Sequence, residues 1–394
     1  MRGITNVNFK NKRAIIRVDF NVPLDDSLKI TDISRIKAAL PTIDFVLEKG
    51  GAVILMSHLG RPSKRDAALS LAPVAKELSL LIKAPVQFFN DCVGLETLKK
   101  AKALQSGEIA LLENLRFYQE EILGDTAFAR QLAELADIYI NDAFGSSHRA
   151  HASTFTITRF FKNQKYGGFL LDNEVSSLRS ILRSPASPFV AVIGGAKASS
   201  KIDVLLSLVQ CVDKIIIGGG MAYTFIKAQG GNVGKSLIEK EKLSAAKKII
   251  AEAQEKNVSL IFPVDSVNSL GFKDVSPSCV SDIFNIPENC MGLDIGPKSI
   301  SLFTQHIASS KTILWNGPMG VFEFLNFSRG TKLICESICS RTQEGAYSLV
   351  GGGDSIAALK KFGSPENISY VSTGGGAMLE YLEGKELPAL KALL

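Results

Sequence analysis

The stretch "AYSLVGGGDSIAAL", residues 346–359, decides the fold. A short apolar run enters three glycines, and an amphipathic stretch leaves them, which is the pattern of a strand, a tight turn and a helix. The same device recurs in "PFVAVIGGAKASSK" (188–201), "DKIIIGGGMAYTF" (213–225) and "ISYVSTGGGAMLEYL" (368–382). A fifth apolar run, "KTILWNGPMGVFE" (311–323), ends in a Gly-Pro turn. Strands that alternate with helices imply a parallel sheet covered on both faces, with ligands beyond the carboxyl ends of its strands. Glycine lets the backbone approach a ligand, and the helix behind it offers free N–H groups and a favourable dipole. One such turn is commonplace packing; four on one sheet point to a polyphosphate site.

Upstream, the apolar runs are "AIIRVDF" (14–20), "AVILMSH" (52–58), "PVQFF" (85–89), "IALLENL" (109–115) and "DIYINDAF" (137–144). Helical patterns such as "TDISRIKAALPTIDFVLEKG" (31–50) lie between them, that one opening on a Thr-Asp cap and closing on glycine. This predicts a second parallel sheet. Polar residues gather where the runs end: Asp19 and Asn21, His58 and Arg61, Arg116, then His148, Arg149 and His151. Arg35 joins them from the first turn of its helix. A single such residue is as easily a capping contact, but recurrence at successive strand ends points to one cationic edge. For the three histidines, neutral rings that orient arginines compete with ligand contact. Contact is the better reading for His58, and support of Arg149 for His148 and His151.

Composition sets the bounds. At 394 residues, 46% apolar and 21% charged, the chain is expected to form two domains. Ten of its fourteen arginines fall within residues 1–170, and arginine is the fork that matches carboxylate and phosphate. No basic run reaches five residues, so nucleic acid is disfavoured. Six cysteines without a Cys-x-x-Cys pair fit a reducing compartment, and Cys335 and Cys339 read as core thiols. The N-terminus lacks the apolar core of a signal peptide, so a cytoplasmic protein is expected. "QGGNVGKS" (229–236) fails as a P-loop because Gln229 stands where the first glycine belongs, and no Gly-x-Gly-x-x-Gly follows a strand.

The segments "RVDFNVP" (17–23), "SHLGRP" (57–62), "LLENLRF" (111–117), "DAFGSSHRAHAS" (142–153), "GGAKASSKI" (194–202), "WNGPMGVFE" (315–323), "GGGDS" (351–355) and "STGGGA" (372–377) together resemble the phosphoglycerate kinase family, in family order and over almost the whole chain. The resemblance implies two doubly wound α/β domains joined by a hinge helix. The expected division is a phosphoglycerate domain at 1–168, a hinge at 169–187 and a nucleotide domain at 188–380, with 381–394 packing back on the first. It implies that Asp19, Asn21, Arg35, His58, Leu59, Gly60, Arg61, Arg116 and Arg149 hold 3-phosphoglycerate or 1,3-bisphosphoglycerate. Lys197, Lys201, Gly219, Gly292, Asn316, Glu323, Gly352, Gly353, Asp354 and Ser355 would hold ATP or ADP, with Asp354 on Mg²⁺. Arg35, Lys197 and Gly353 would act in transfer, Lys197 and Lys201 standing one helical turn apart. A monomer that closes when both ligands bind is expected.

Two departures from the family pattern stand out: Ser355 replaces a usual threonine, and "FPVDSVNS" (262–269) differs from the common form of its loop. A different two-domain carboxylate kinase would share the glycine turns without the arginine set. An anion-binding regulator would tolerate loss of Lys197 or Asp354.

Overall fold

The computed structural model describes residues 1–274 and 279–394, which divide into two compact units. The first comprises Met1–Ser176 with Glu386–Leu394, and the second Ser177–Lys385. The division falls inside the helix Phe169–Arg183.

The first unit is built on β1 (Arg13–Val18), β2 (Ala52–Met56), β3 (Val86–Phe89), β4 (Ile109–Leu112), β5 (Ile138–Asp142) and β6 (Lys165–Gly167), in the order β3-β4-β2-β1-β5-β6. Every pairing is parallel. A parallel pair cannot close with a tight hairpin, so each connection crosses a face of the sheet. β1, β2, β4 and β5 are almost wholly buried, which is why their sequences run apolar without alternation. The helix Ser34–Glu48 turns Ile36, Ala39, Ile43 and Val46 onto Ile16, Val18, Val53 and Leu55. That helix begins at Ser34 with Ile33 as its cap and no side-chain cap bond; Asp32 instead accepts from the Ser34 amide at 2.8 Å. The expected Thr-Asp cap is therefore a local turn just ahead of the helix.

The second unit holds β7 (Phe189–Ile193), β8 (Lys214–Ile217), β9 (Asn232–Val233), β10 (Ser259–Ile261), β11 (Asp265–Ser269), β12 (Cys279–Asp282), β13 (Asn285–Ile286), β14 (Met291–Ile295), β15 (Thr312–Asn316), β16 (Tyr347–Gly351) and β17 (Tyr370–Ser372). Its main sheet runs β10-β8-β7-β15-β16-β17, again all parallel, with a small antiparallel sheet β12-β11-β14 beside it. Trp315 is fully buried in a core shared with Phe303 and Ile307 of the helix Pro297–Ala308. Cys335 and Cys339 lie in the same core as free thiols.

Within the 262–269 segment, the aspartate that belongs to the usual pattern has a structural task. Asp265 opens β11 and accepts from the backbone amides of Lys298 (3.0 Å) and Ser299 (2.8 Å), the first turn of the Pro297–Ala308 helix. A carboxylate at that end satisfies free N–H groups and meets the positive end of the helix dipole. β6 is a three-residue strand that the hydropathy pattern does not announce, and β10 is a three-residue strand within the apolar run "VSLIF" (258–262).

Because Phe303 has no solvent exposure and packs in the cluster of the only tryptophan, Phe303→Ala should lower the stability of the second unit by about 3–5 kcal/mol. Urea unfolding followed by Trp315 emission measures it, and a loss below about 1 kcal/mol contradicts the packing.

Candidate active site

In the first unit the carboxyl ends of the strands carry the expected polar residues, and hydrogen bonds tie them together. Asp19, just past β1, accepts from Arg35 Nη1 at 2.8 Å. Asn21 Oδ1 accepts from the Gly60 amide at 2.8 Å, and Arg116 Nη1 donates to the Gly60 carbonyl at 2.6 Å. Leu59 donates to Asn114 Oδ1 at 3.2 Å, so the "SHLGRP" loop is pinned from β4 as well as from β1. Gly60 has φ +66°, a conformation that side chains avoid, and an added Cβ would stand 2.9 Å from Leu69. Arg149 donates from Nε to His148 Nε2 at 3.1 Å, which makes that imidazole an acceptor that orients the guanidinium. Arg61 is exposed at the mouth.

These cations perturb one another. Burial, followed by the charges of Arg17 and Arg149, brings Arg116 down to about 10. Burial holds His58 well below its ordinary value, and Arg17, Arg116 and Arg35 add to the effect. His151 is brought down to about 4 by burial and then by Arg17, Arg116 and Arg149. His58 and His151 are therefore neutral at pH 7.

Behind the cup stands a residue that the strand pattern hid. Arg17 has no solvent exposure and lies inside β1. It donates from Nε to Ser153 Oγ at 2.8 Å, from Nη2 to His58 Nδ1 at 3.1 Å, and from Nη1 to the Val18 carbonyl. Ser153 in turn is held by Glu121, also fully buried. A charged residue in the middle of an apolar run was the available signal for Arg17. Glu121, in "YQEEIL", offers none.

In the second unit, two cavities meet at one residue. The larger, about 720 Å³, is lined by Gly195, Ala196, Gly219, Gly220, Gly292, Glu323 and Asp354, with Tyr223, Leu237, Phe272, Met291 and Phe324 as apolar walls. The smaller, about 220 Å³, is lined by Lys201, Asn316, Gly317, Gly352, Gly353, Asp354, Ser355, Gly375 and Gly376. Asp354, exposed in the first turn of the helix Gly353–Phe362, borders both. The glycines are required by backbone proximity. Gly219 has φ +67°, and a Cβ there would stand 2.7 Å from Gly195 and 2.8 Å from the Pro318 carbonyl. Gly352 has φ +96°, with the Asn316 amide 2.6 Å from a built Cβ.

Lys201 Nζ donates to Asn316 Oδ1, and burial lowers its pKa. Asn316 Nδ2 donates to the Gly351 carbonyl at 2.6 Å. Ser355 Oγ accepts from the Gly317 amide at 2.6 Å, so its hydroxyl braces the turn after β15. The two lysines do not share a helical turn. Lys197 is extended and exposed, a 3₁₀ turn covers Ala198–Ser200, and the helix begins only at Ile202. Lys197 lines neither cavity. Leu237, Phe272, Met291 and Phe324, from elements far apart in sequence, carried no motif that would have marked them, whereas Tyr223 follows a glycine turn and Lys235 lies in the segment dismissed as a P-loop.

Residues 4–385 match the description of the family "Phosphoglycerate kinase". A phosphoglycerate kinase from Chlorobium chlorochromatii is 49% identical over 393 residues, covering 100% of this chain and 99% of its own length. One from Nostoc sp. is 50% identical over 391 residues, covering 99% and 98%. The solved structure of phosphoglycerate kinase from Coxiella burnetii superposes with a TM-score of 0.88 at 43% identity, over 99% of this chain and 97% of that one.

His151 yields a pH prediction. Its pKa is lower in the folded chain, about 4, than its ordinary 6.5, so below 6.5 the unfolded state binds the proton more readily. Its contribution to stability is then present above pH 6.5 and lost as pH falls toward 4, on the order of 1–2 kcal/mol after allowing for screening. His151→Gln should flatten that part of the stability–pH curve relative to the unsubstituted chain. Parallel curves for the two proteins would contradict a neutral, desolvated ring.

Proposed function

The chain belongs to the phosphoglycerate kinase family, a phosphotransferase with a carboxyl acceptor, and on that premise we propose how its residues perform the transfer. The reaction interconverts 1,3-bisphosphoglycerate and ADP with 3-phosphoglycerate and ATP. One observation carries the assignment of the first site: Arg116 is depressed by burial first and then by the charges of Arg17, Arg149 and Arg61, and Arg35 joins them in acting on His58. A strongly anionic ligand would relieve what repulsion the protein's own groups leave. A phosphorylated glycerate carries a phosphate for Arg61, Arg116 and Arg149, and a carboxyl group for Arg35, with Asp19, Asn21, His58, Leu59 and Gly60 shaping the cup.

In the second unit the apolar cavity suits a nucleoside, with Gly219 and Gly292 flanking the base and Glu323 at the ribose. The glycine-rich cavity suits the phosphates, held by Lys201, Asn316, Gly352, Gly353 and the braced turn of Ser355. Mg²⁺ fits the donor set. Asp354 is a single exposed carboxylate beside a phosphate pocket, and no group of three or more His, Cys, Asp or Glu side chains gathers among the described residues. That suits an ion that arrives with the nucleotide and keeps its waters. When bound it supplies neutralisation of phosphate charge.

The chemistry needs no proton transfer. In the ATP-forming direction a carboxylate leaves without being protonated, and the attacking β-phosphate oxygen is already ionised. What remains is alignment and charge stabilisation. Arg35 from the first unit, with Lys197 and the Gly353 amide from the second, are assigned to the transferring phosphoryl oxygens. Ligands on separate sheets must meet for transfer, so the units close about the Phe169–Arg183 helix, which also excludes water from the acyl phosphate. Among the described residues no helix is long and apolar enough to cross a membrane.

A coupled assay with 3-phosphoglycerate and Mg-ATP tests the reading. Arg35→Ala should lower kcat by on the order of 10³ or more while the Kd for Mg-ATP stays within about twofold. Comparable losses in both would remove Arg35 from the transfer step. Solution scattering should show a smaller radius of gyration with both substrates than with either alone, and an unchanged radius would count against closure.

A further inference from the structure

The buried groups behind the cup form a hydrogen-bonded chain in which the direction of each bond is determined. Arginine has donors and no acceptor. Arg17 Nη2 therefore donates to His58 Nδ1 at 3.1 Å, and Arg17 Nε donates to Ser153 Oγ at 2.8 Å. With its oxygen receiving that bond, Ser153 gives its own proton to Glu121 Oε1 at 2.6 Å, while the Ser153 amide donates to Oε2 at 2.9 Å. Glu121, Ser153 and Arg17 have no solvent exposure, and His58 has 6%. The backbone repeats the tether, since the Ala152 amide donates to the Glu121 carbonyl at 2.9 Å.

The consequence falls on His58. Its Nδ1 is occupied as an acceptor, so a neutral ring carries its proton on Nε2. An Nδ1–H tautomer or an imidazolium would set N–H against N–H at Arg17. Nε2 makes no hydrogen bond within the described residues and is not sealed among the buried polar atoms that lack partners, so it is left for an outside acceptor. We infer that Glu121, acting through Ser153 and Arg17, fixes His58 as the neutral Nε2–H tautomer and thereby makes it a hydrogen-bond donor to the anion bound in the first unit. Only the last step rests on the proposed phosphoglycerate site; the tautomer is a property of the empty protein.

The arrangement differs from a plain buried ion pair. Ser153 stands between Arg17 and Glu121, and a serine that accepts from one and donates to the other passes on polarity as well as charge. Glu121 offsets the Arg17 charge without taking a donor away from His58. The cup thereby gains a donor without a further positive charge among Arg35, Arg61, Arg116 and Arg149. An imidazolium there would meet repulsion from each guanidinium at a low local dielectric. Glu121, Ser153 and Arg17 are positioning residues in this scheme, because they reach the ligand only through the ring.

The full chain with ¹⁵N-labelled histidine tests this at pH 7. It has four histidines, and loss of one signal pair in His58→Gln assigns the ring. The expected spectrum has an unprotonated Nδ1 and a protonated Nε2. A protonated Nδ1, alone or as part of an imidazolium, overturns the proposal with no further variant. In Ser153→Ala and Glu121→Gln the His58 signals should move toward a mixture of tautomers. The KM for 3-phosphoglycerate should rise about tenfold, and the KM for Mg-ATP should stay within about twofold, as for one lost bond to a charged ligand. An unchanged His58 spectrum in both variants overturns the relay. A changed spectrum with an unchanged KM for 3-phosphoglycerate upholds the relay and overturns the reading of His58 as a ligand contact.

Discussion

Repulsion between guanidinium groups is the constraint on which the first unit depends. Unit charges a few ångströms apart repel by about 4 kcal/mol at an effective dielectric near 20, and Arg17, Arg35, Arg116 and Arg149 are kept close without a ligand. The fold offsets this one charge at a time. Asp19 neutralises Arg35, the Gly60 and Val18 carbonyls receive Arg116 and Arg17, and Glu121 faces Arg17 across Ser153. Neutral imidazoles follow from burial first and from the same charges second, as does the lowering of Arg116 to about 10. An anion entering the cup finds its donors oriented, so little reorganisation is left to oppose binding.

The second unit meets a different demand. Its cavities are lined by few charged residues: Lys201, tied to Asn316, with Lys235, Glu323 and Asp354, the last bordering both cavities. The ends of β7, β8 and β15 come so close that Gly194 donates to the Asn316 carbonyl at 2.9 Å and Gly195 to the Pro318 carbonyl at 3.0 Å. Side chains are excluded there by space, and backbone amides become the available donors. A ligand that brings its own cation suits such a surface, whereas a bare phosphorylated acid requires the arginines of the other unit.

How much of this was legible follows from the physics of each signal. Long buried strands read clearly, since a sheet covered on both faces yields continuous apolar runs at β1, β2, β4 and β5. β6, three residues and partly exposed, had neither length nor hydropathy to mark it, and β10 lies in the short apolar run "VSLIF" (258–262) without a glycine turn after it. Strand-end residues such as Asp19 and Arg116 were legible because polarity breaks an apolar run. Glu121 was not, because its partner Ser153 is 32 residues away and nothing local distinguishes it from a surface carboxylate. The spacing of Lys197 and Lys201 misled because it presumed an α-helix where a 3₁₀ turn intervenes. The departure at 262–269 lies in the polar residues after Asp265, and it became intelligible only when Ser266 was seen hydrogen-bonded to the Tyr223 hydroxyl and Asn268 donating to Ser281 Oγ, each at 2.9 Å.

The site's proton inventory bears directly on mechanism. General acid–base catalysis needs a group whose pKa lies near the working pH and whose proton can reach the reacting atom. His58 and His151 are held well below that range, and Asp19 is paired with Arg35. Glu121 is raised by burial, yet it lies behind Ser153 with both oxygens accepting hydrogen bonds. The cup can orient and stabilise anions but is poorly equipped to trade protons with them. Transfer between a carboxylate and a diphosphate oxygen is the kind of reaction that suffers nothing from this, because both nucleophile and leaving group are anions already. A cup whose imidazoles are held neutral suits chemistry that needs no proton transfer.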